Sequence, residues 1–183
     1  MPYAYMIFAR KNINYQTIKY FAGEVLRVLL DSMLMVFLTF PEESEEKRLS
    51  EKIMRARGLE RFMSALSIQE YIGSIHKIAK ITTKPETYLR KADELLKGLL
   101  MHEKTPVQFV PLNLLSLLLR SKELREIGLG LNDSLIVSTA EKMDAVFTTT
   151  DEEILRQADK ILVAVYTPQE LLKQLLTSQG LKN

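Results

Sequence analysis

The side chains best suited to chemistry in this sequence are carboxylates. Asp133 and Asp151 bound most of the stretch LNDSLIVSTAEKMDAVFTTTD. Asp133 opens an apolar helix, and the short strand VFTT then runs on to Asp151. A helix that returns the chain to the start of the next strand leaves both acids at one edge of a sheet. Two more acids stand where an apolar strand gives way to a helix, Asp31 after VLRVLL and Glu70 after RFMSAL. In a parallel sheet such junctions share the carboxyl edge, where open α/β sheets place their sites. Carboxylates gathered there repel one another and raise one another's pKa. No Lys or Arg adjoins any of the four in sequence. Mg2+ or Mn2+ would compensate them, since both are hard cations that take carboxylate and water oxygens.

Each acid also has a local explanation. Ser67-x-x-Glu70 and Thr150-x-x-Glu153 have the form of capping boxes. Asp133 and Asp151 suit helix N-termini, worth about 0.3–1 kcal/mol each. A Glu70 folded back onto Ser67 cannot at the same time reach a cation. For one acid alone the cap is the simpler reading, and for four at one edge we read a metal site.

The elements that must position these acids follow from pattern and punctuation. Val25–Leu30 reads as a buried strand and Met33–Phe40 as a short apolar helix stopped by Pro41, with one helix from Tyr15 to Phe40 as the competitor. Pro41 to Gly58 reads as a charged helix whose acids crowd its start and whose bases crowd its end. Arg61–Leu66 reads as a second strand, followed by a helix capped by Ser67. Pro85 opens the next helix, Val107–Pro111 is a third strand, and Leu112–Ile127 is helical. Gly128 and Gly130 form a turn, too sparse in glycine for a dinucleotide loop. EEILRQAD, ILVAVY and a helix opened by Pro168 close the chain as helix, strand and helix. Strands alternating with helices indicate an α/β fold, three layers α/β/α around a mainly parallel sheet.

Composition narrows the chemistry further. With 183 residues and 46% hydrophobic residues, the chain suits one domain, residues 25–183, behind an extension over residues 1–24. At roughly 150 residues a domain already buries about two-thirds of its unfolded surface. There is no Cys, which removes disulfides, thiolate catalysis and Cys zinc sites, and two His are too few for a His-rich centre. The absence of Cys and of a leader-like N-terminus leads us to expect a cytoplasmic protein. Glu24, Arg27 and Asp31 interrupt the most apolar stretch, so a buried core is expected there and no membrane span. In the extension, Tyr3, Tyr5, Tyr15 and Tyr20 lie among Arg10, Lys11 and Lys19. Packing on the domain or on a partner is the first reading of this pattern, and stacking on RNA bases the second. Net charge is +2, compatible with nucleic acid without requiring it. Lys84, Arg90, Lys91, Arg120 and Lys122 are candidate phosphate contacts.

LLDSMLMVFL, SALSIQEYIGSI, LNDSLIVSTA and VFTTTDEEI, in this order, resemble the motifs of PIN domains, and the resemblance runs over about residues 25–176. It implies a metal-dependent nuclease acting on RNA, with Asp31, Glu70, Asp133 and Asp151 as a catalytic cluster binding Mg2+ or Mn2+. It also implies supporting roles: Ser32 as the small hydroxyl residue after the first Asp, Thr149 as a hydrogen-bonding support, and Glu153 as an acid found in part of the family. Met33 departs from the pattern, standing where many members have Asn. The family context further implies a toxin of the VapC type, an antitoxin protein as partner, and a homodimer to which the apolar residues of 33–40 and 112–119 would contribute. The alternative, motivated by Met33, is a catalytically weak or inactive PIN-fold module that binds RNA or protein. A receiver-like signalling domain ranks third, because it needs paired acids on its first strand and a Lys at the end of its last, whereas Thr167-Pro168 follows the last strand here.

Overall fold

The computed structural model describes residues 25–101 and 107–180. The expected extension over residues 1–24, with its tyrosines, and His102 lie outside the described residues. Strand β1 (Leu26–Leu30) is almost wholly buried, so residues 26–30 are not part of a helix from Tyr15 to Phe40. It leads into α1 (Ser32–Thr39) and α2 (Glu45–Arg55). Next come β2 (Leu59–Ser64), α3 (Ala65–Ile81), α4 (Pro85–Met101), β3 (Gln108–Val110), α5 (Leu114–Glu126) and α6 (Leu131–Lys142). The chain closes with β4 (Val146–Thr148), α7 (Glu152–Arg156), β5 (Val165–Tyr166) and α8 (Pro168–Gly180).

All five strands pair in parallel, in the order β3-β2-β1-β4-β5. Helices cover both faces, giving the expected α/β/α layers. Alternation along the strands feeds two cores. Leu26, Val28, Leu30 and Val146 face α1 to α4 and α8, where they pack with Met35, Ile53, Tyr71, Ile75 and Leu171. Leu29, Phe62 and Phe147 face the other way, against Leu117 and Leu124 of α5 and Ile136 and Val137 of α6. At about 1.5–3 kcal/mol per fully buried large side chain, these layers position everything else.

Several boundaries differ from the sequence reading, each for a local reason. Pro41 precedes α2 without opening it, because Ser44 caps that helix by accepting the Lys47 N–H at 3.2 Å. Gly58 serves the turn into β2 at φ +76, and its carbonyl accepts the Leu26 N–H at 2.9 Å. That pairing draws β2 two residues earlier than Arg61–Leu66. Ser64 rather than Ser67 then caps α3, accepting the Ser67 N–H at 2.9 Å. The ILVAVY strand shortens to Val165–Tyr166, because bends at 161–163, directly after the 3-10 turn Ala158–Lys160, use up its first part. Among the described residues no helix is long and apolar enough to cross a membrane.

Candidate active site

The chain winds from β1 outward to β3, then returns to β4 on the other side of β1. The strand order therefore reverses between β1 and β4, and a crevice must open at their carboxyl ends. An open cleft of about 710 Å3 lies there, lined by Asp31, Glu70, Asp133 and Asp151 together with Ser32, Met33 and Asn132. All four predicted acids thus border one cavity.

The register of the sheet sets the first contact. Leu30 pairs with Thr148, which brings Asp31 beside Thr149. The Thr149 hydroxyl donates to Asp31 Oδ2, and the Ser32 hydroxyl donates to Asp31 Oδ1 at 3.2 Å. Thr149 Oγ1 also accepts the Asp151 N–H at 3.0 Å, so one hydroxyl links the two strand ends. Asp31 holds the N-cap position of α1, yet its side chain makes no capping bond and stays with the cleft. Asp151 does cap α7, accepting the Glu153 N–H at 2.7 Å and the Ile154 N–H at 3.2 Å on Oδ1. Asp151 is thus the cap itself, which replaces the box expected between Thr150 and Glu153.

Asp133 lies in the first turn of α6. A Cβ on Gly130 would stand 2.8 Å from Asp133 Oδ2, so glycine there leaves room for the carboxylate. Glu70 does not fold back onto Ser67. Its Oε1 accepts a hydrogen bond from Asn132 Nδ2 at 2.9 Å, which turns it toward α6.

Electrostatics register the convergence. Burial, offset by Thr149 and Ser32, pushes the Asp31 carboxyl above its ordinary value, and the charge of Asp151 adds to the rise. Asp133 is pushed up by burial first, then by Asp151, Asp31 and Glu153. Glu70 is pushed up by burial, against the hydrogen bond from Asn132, and by the charges of Asp31 and Asp133. Glu153 therefore reaches the cluster by its charge, while Glu152 is the neighbour that lines the cleft. The donor set is all oxygen and its mutual repulsion is uncompensated, which suits a hard divalent cation. Among the described residues no three His, Asp or Glu side chains are drawn together to hold an ion as they stand. Asp31, Glu70 and Asp151 are instead engaged by Thr149, Ser32, Asn132 and the amides of α7.

Sequence reasoning passed over Asn132, the room that Gly130 leaves for Asp133, and the cleft-facing side of α3. A signal for the last was present: Gln69, Gly73 and Lys77 recur every four residues beside Glu70. The basic residues singled out from sequence lie elsewhere, since none of the five lines the cleft. Arg120 is bound by Glu141 at 2.7 and 2.8 Å and by Glu123 at 2.7 Å, and these partners hold its pKa above the usual range. Arg90 and Lys122 pair with Glu94 and Glu126, each at 3.9 Å.

Comparison with known proteins agrees with this fold. The chain superposes on PAE2754 from Pyrobaculum aerophilum with a TM-score of 0.59 at 20% identity, covering 91% of this chain and 99% of that one. VapBC2 from Rickettsia felis, bound to a DNA fragment from its promoter, matches with a TM-score of 0.53 at 17% identity, over 78% of this chain and 98% of that one. VapC20 from Mycobacterium tuberculosis, a toxin that cleaves the sarcin-ricin loop, matches with a TM-score of 0.51 at 10% identity, over 70% and 94%. At these identities the likeness is one of fold. No curated protein matches the chain. A family model described as PIN domain matches residues 28–161, most of the chain, and with strand order and cleft already in hand the chain belongs to the PIN domain family.

Proposed function

We propose that this PIN domain is an Mg2+- or Mn2+-dependent endoribonuclease that hydrolyses RNA phosphodiester bonds. The observation that carries the reading is the set of three carboxyl groups, Asp31, Glu70 and Asp133, all pushed up by burial and by neighbouring acids around one open cleft. Asp31, Asp133 and Asp151 would hold the cation, with Glu70 beside them. A divalent cation supplies positive charge against the charge that develops at phosphorus and lowers the pKa of water. The side chains do the positioning. Thr149 and Ser32 fix the Asp31 carboxylate, Asn132 fixes Glu70, and the α7 amides fix Asp151 Oδ1. In the reaction a water oxygen bonds to phosphorus as the bond to the leaving ribose oxygen breaks. No side chain serves as nucleophile, in keeping with the absence of Cys.

The reading extends to a cytoplasmic toxin of a toxin–antitoxin pair, supported by the fold shared with VapBC2 and VapC20. An antitoxin would cover the acidic cleft, and the toxin would pair as a homodimer. A second reading is a catalytically weak or inactive module that binds RNA or protein. Met33 on the cleft wall favours it, because a thioether there cannot replace a polar ligand-positioning group. Cleavage of structured RNA in Mn2+ separates the two. We expect turnover by the wild type, none with chelator, and at least about a hundredfold loss in Asp133→Asn. Cleavage that survives chelator or the substitution, or that is absent from the wild type, overturns the nuclease reading.

A further inference from the structure

An RNA strand that enters this cleft meets acids on nearly every side, so it needs a cation placed in advance. One wall of the cleft is a single face of α3, formed by Gln69, Glu70, Gly73, Ser74 and Lys77. The opposite face of the same helix is buried through Tyr71 and Ile75, which fixes the rotation of α3 and therefore the direction of the first face. Lys77 is the one lysine or arginine that lines the cleft among the described residues. It is exposed, and it takes part in none of the salt bridges among those residues. Seven residues separate it from Glu70, which is about 10 Å along a helix at 1.5 Å per residue. Among the described residues no ion pair joins it to Glu70 or to any other acid of the cluster, so it is not the internal counterion of those acids. Between them Gly73 leaves the wall bare, since a Cβ there would meet nothing within 4 Å.

We propose that Lys77 is a positioning residue for RNA, with its ammonium holding an unreacting phosphate next to the one that is cleaved and the strand lying over Gly73. The proposal rests on the nuclease reading for its substrate and goes beyond it in assigning where the strand runs. A lysine that binds one phosphate releases about one counterion, so it contributes to affinity and to its salt dependence without entering the chemistry.

The test uses the full chain, a fluorescein-labelled single-stranded RNA for binding by anisotropy, and structured RNA in Mn2+ for cleavage, each over a range of KCl. For Lys77→Ala we expect RNA affinity about tenfold weaker and KM about tenfold higher, with kcat within about twofold. The slope of log affinity against log salt should fall by about one. Lys77→Arg should restore affinity and slope, and both variants should keep the wild-type unfolding midpoint. A wild type that cleaves RNA, beside a Lys77→Ala with unchanged affinity and slope, overturns the role of Lys77 and leaves the nuclease reading standing. A fall in kcat at unchanged KM also overturns it. If the wild type binds without cleaving and Lys77→Ala weakens binding, the nuclease reading fails and the anchor stands. A wild type that neither binds nor cleaves ends both.

Discussion

Asp31, Glu70 and Asp133 occupy places where burial and neighbouring charge favour their protonated forms. A raised carboxyl pKa means that the native state binds more protons than the unfolded chain between the ordinary and the raised value. Stability then falls as pH rises through that window, and the penalty is fully present above it. For Asp133 the window opens at the ordinary value of 3.8. Asp133→Asn removes the titration, so urea unfolding should find the variant more stable than the wild type near neutral pH. The difference should close as pH falls toward the lower end of the window. In thermal unfolding at neutral pH, Mn2+ should raise the wild-type midpoint more than that of the variant, because the variant has lost one carboxylate and the repulsion that this carboxylate adds to the cluster. Equal stability of the two proteins at all pH values would remove the electrostatic account. The positions of these acids were legible from sequence, since each follows or precedes an apolar run. Their partners were not. Thr149 reaches Asp31 only because Leu30 pairs with Thr148 in the sheet, and Asn132 reaches Glu70 only because α3 and α6 flank one cleft.

At the scale of elements, the join between α2 and β2 depends on a buried cation. Arg61 sits within β2 at 8% exposure. It donates to the carbonyls of Ile53 at 2.8 Å, of Leu59 at 3.1 Å, and of Ala56. These include carbonyls that the end of a helix leaves without partners. Burial pushes the Arg61 pKa down without discharging it. Arg61→Ala would take a donor from each of these carbonyls and empty the space of the side-chain stem, at a cost of about 2–4 kcal/mol. Chemical denaturation measures this directly, and a loss below about 1 kcal/mol would mean that water replaces the guanidinium easily. From sequence Arg61 was the first residue of a strand with no assigned task, because its partners belong to an element that ends several residues earlier. The shift of the α3 cap from Ser67 to Ser64 has the same origin. The place where β2 ends follows from its pairing with β1 and β3.

At the scale of the molecule, one apolar surface has no cover within the described chain. Leu115 and Leu119 of α5 are 85% and 82% exposed, and Leu114 and Leu118 beside them are half exposed. By contrast, Leu34, Met35 and Val36 of α1 are buried, and Met33, Leu38 and Phe40 pack against the same core, so most of the apolar residues of 33–40 serve the core. The proposed homodimer therefore has α5 as its candidate face. Leu115→Glu with Leu119→Glu should turn a dimer into a monomer and leave the fold intact, as measured by light scattering and circular dichroism. A wild type that is monomeric at tens of micromolar, or a double variant that still dimerises, would rule out this face.

Taken alone, the sequence determined the class of fold and the chemical character of the site. Alternating apolar strands and amphipathic helices leave few architectures that bury both patterns, and acids at successive strand ends must share an edge. Tertiary structure decided what depends on pairing and rotation. The order β3-β2-β1-β4-β5 puts the crevice between β1 and β4, and periodicity along the chain carries no information about which strands become neighbours. Packing of Tyr71 and Ile75 into the core turns Lys77 to the cleft, whereas Arg120 lies outside the cleft and is paired with Glu141. Which cation lines the cleft is a property of the direction a helix presents, and that direction exists only once the layers have closed.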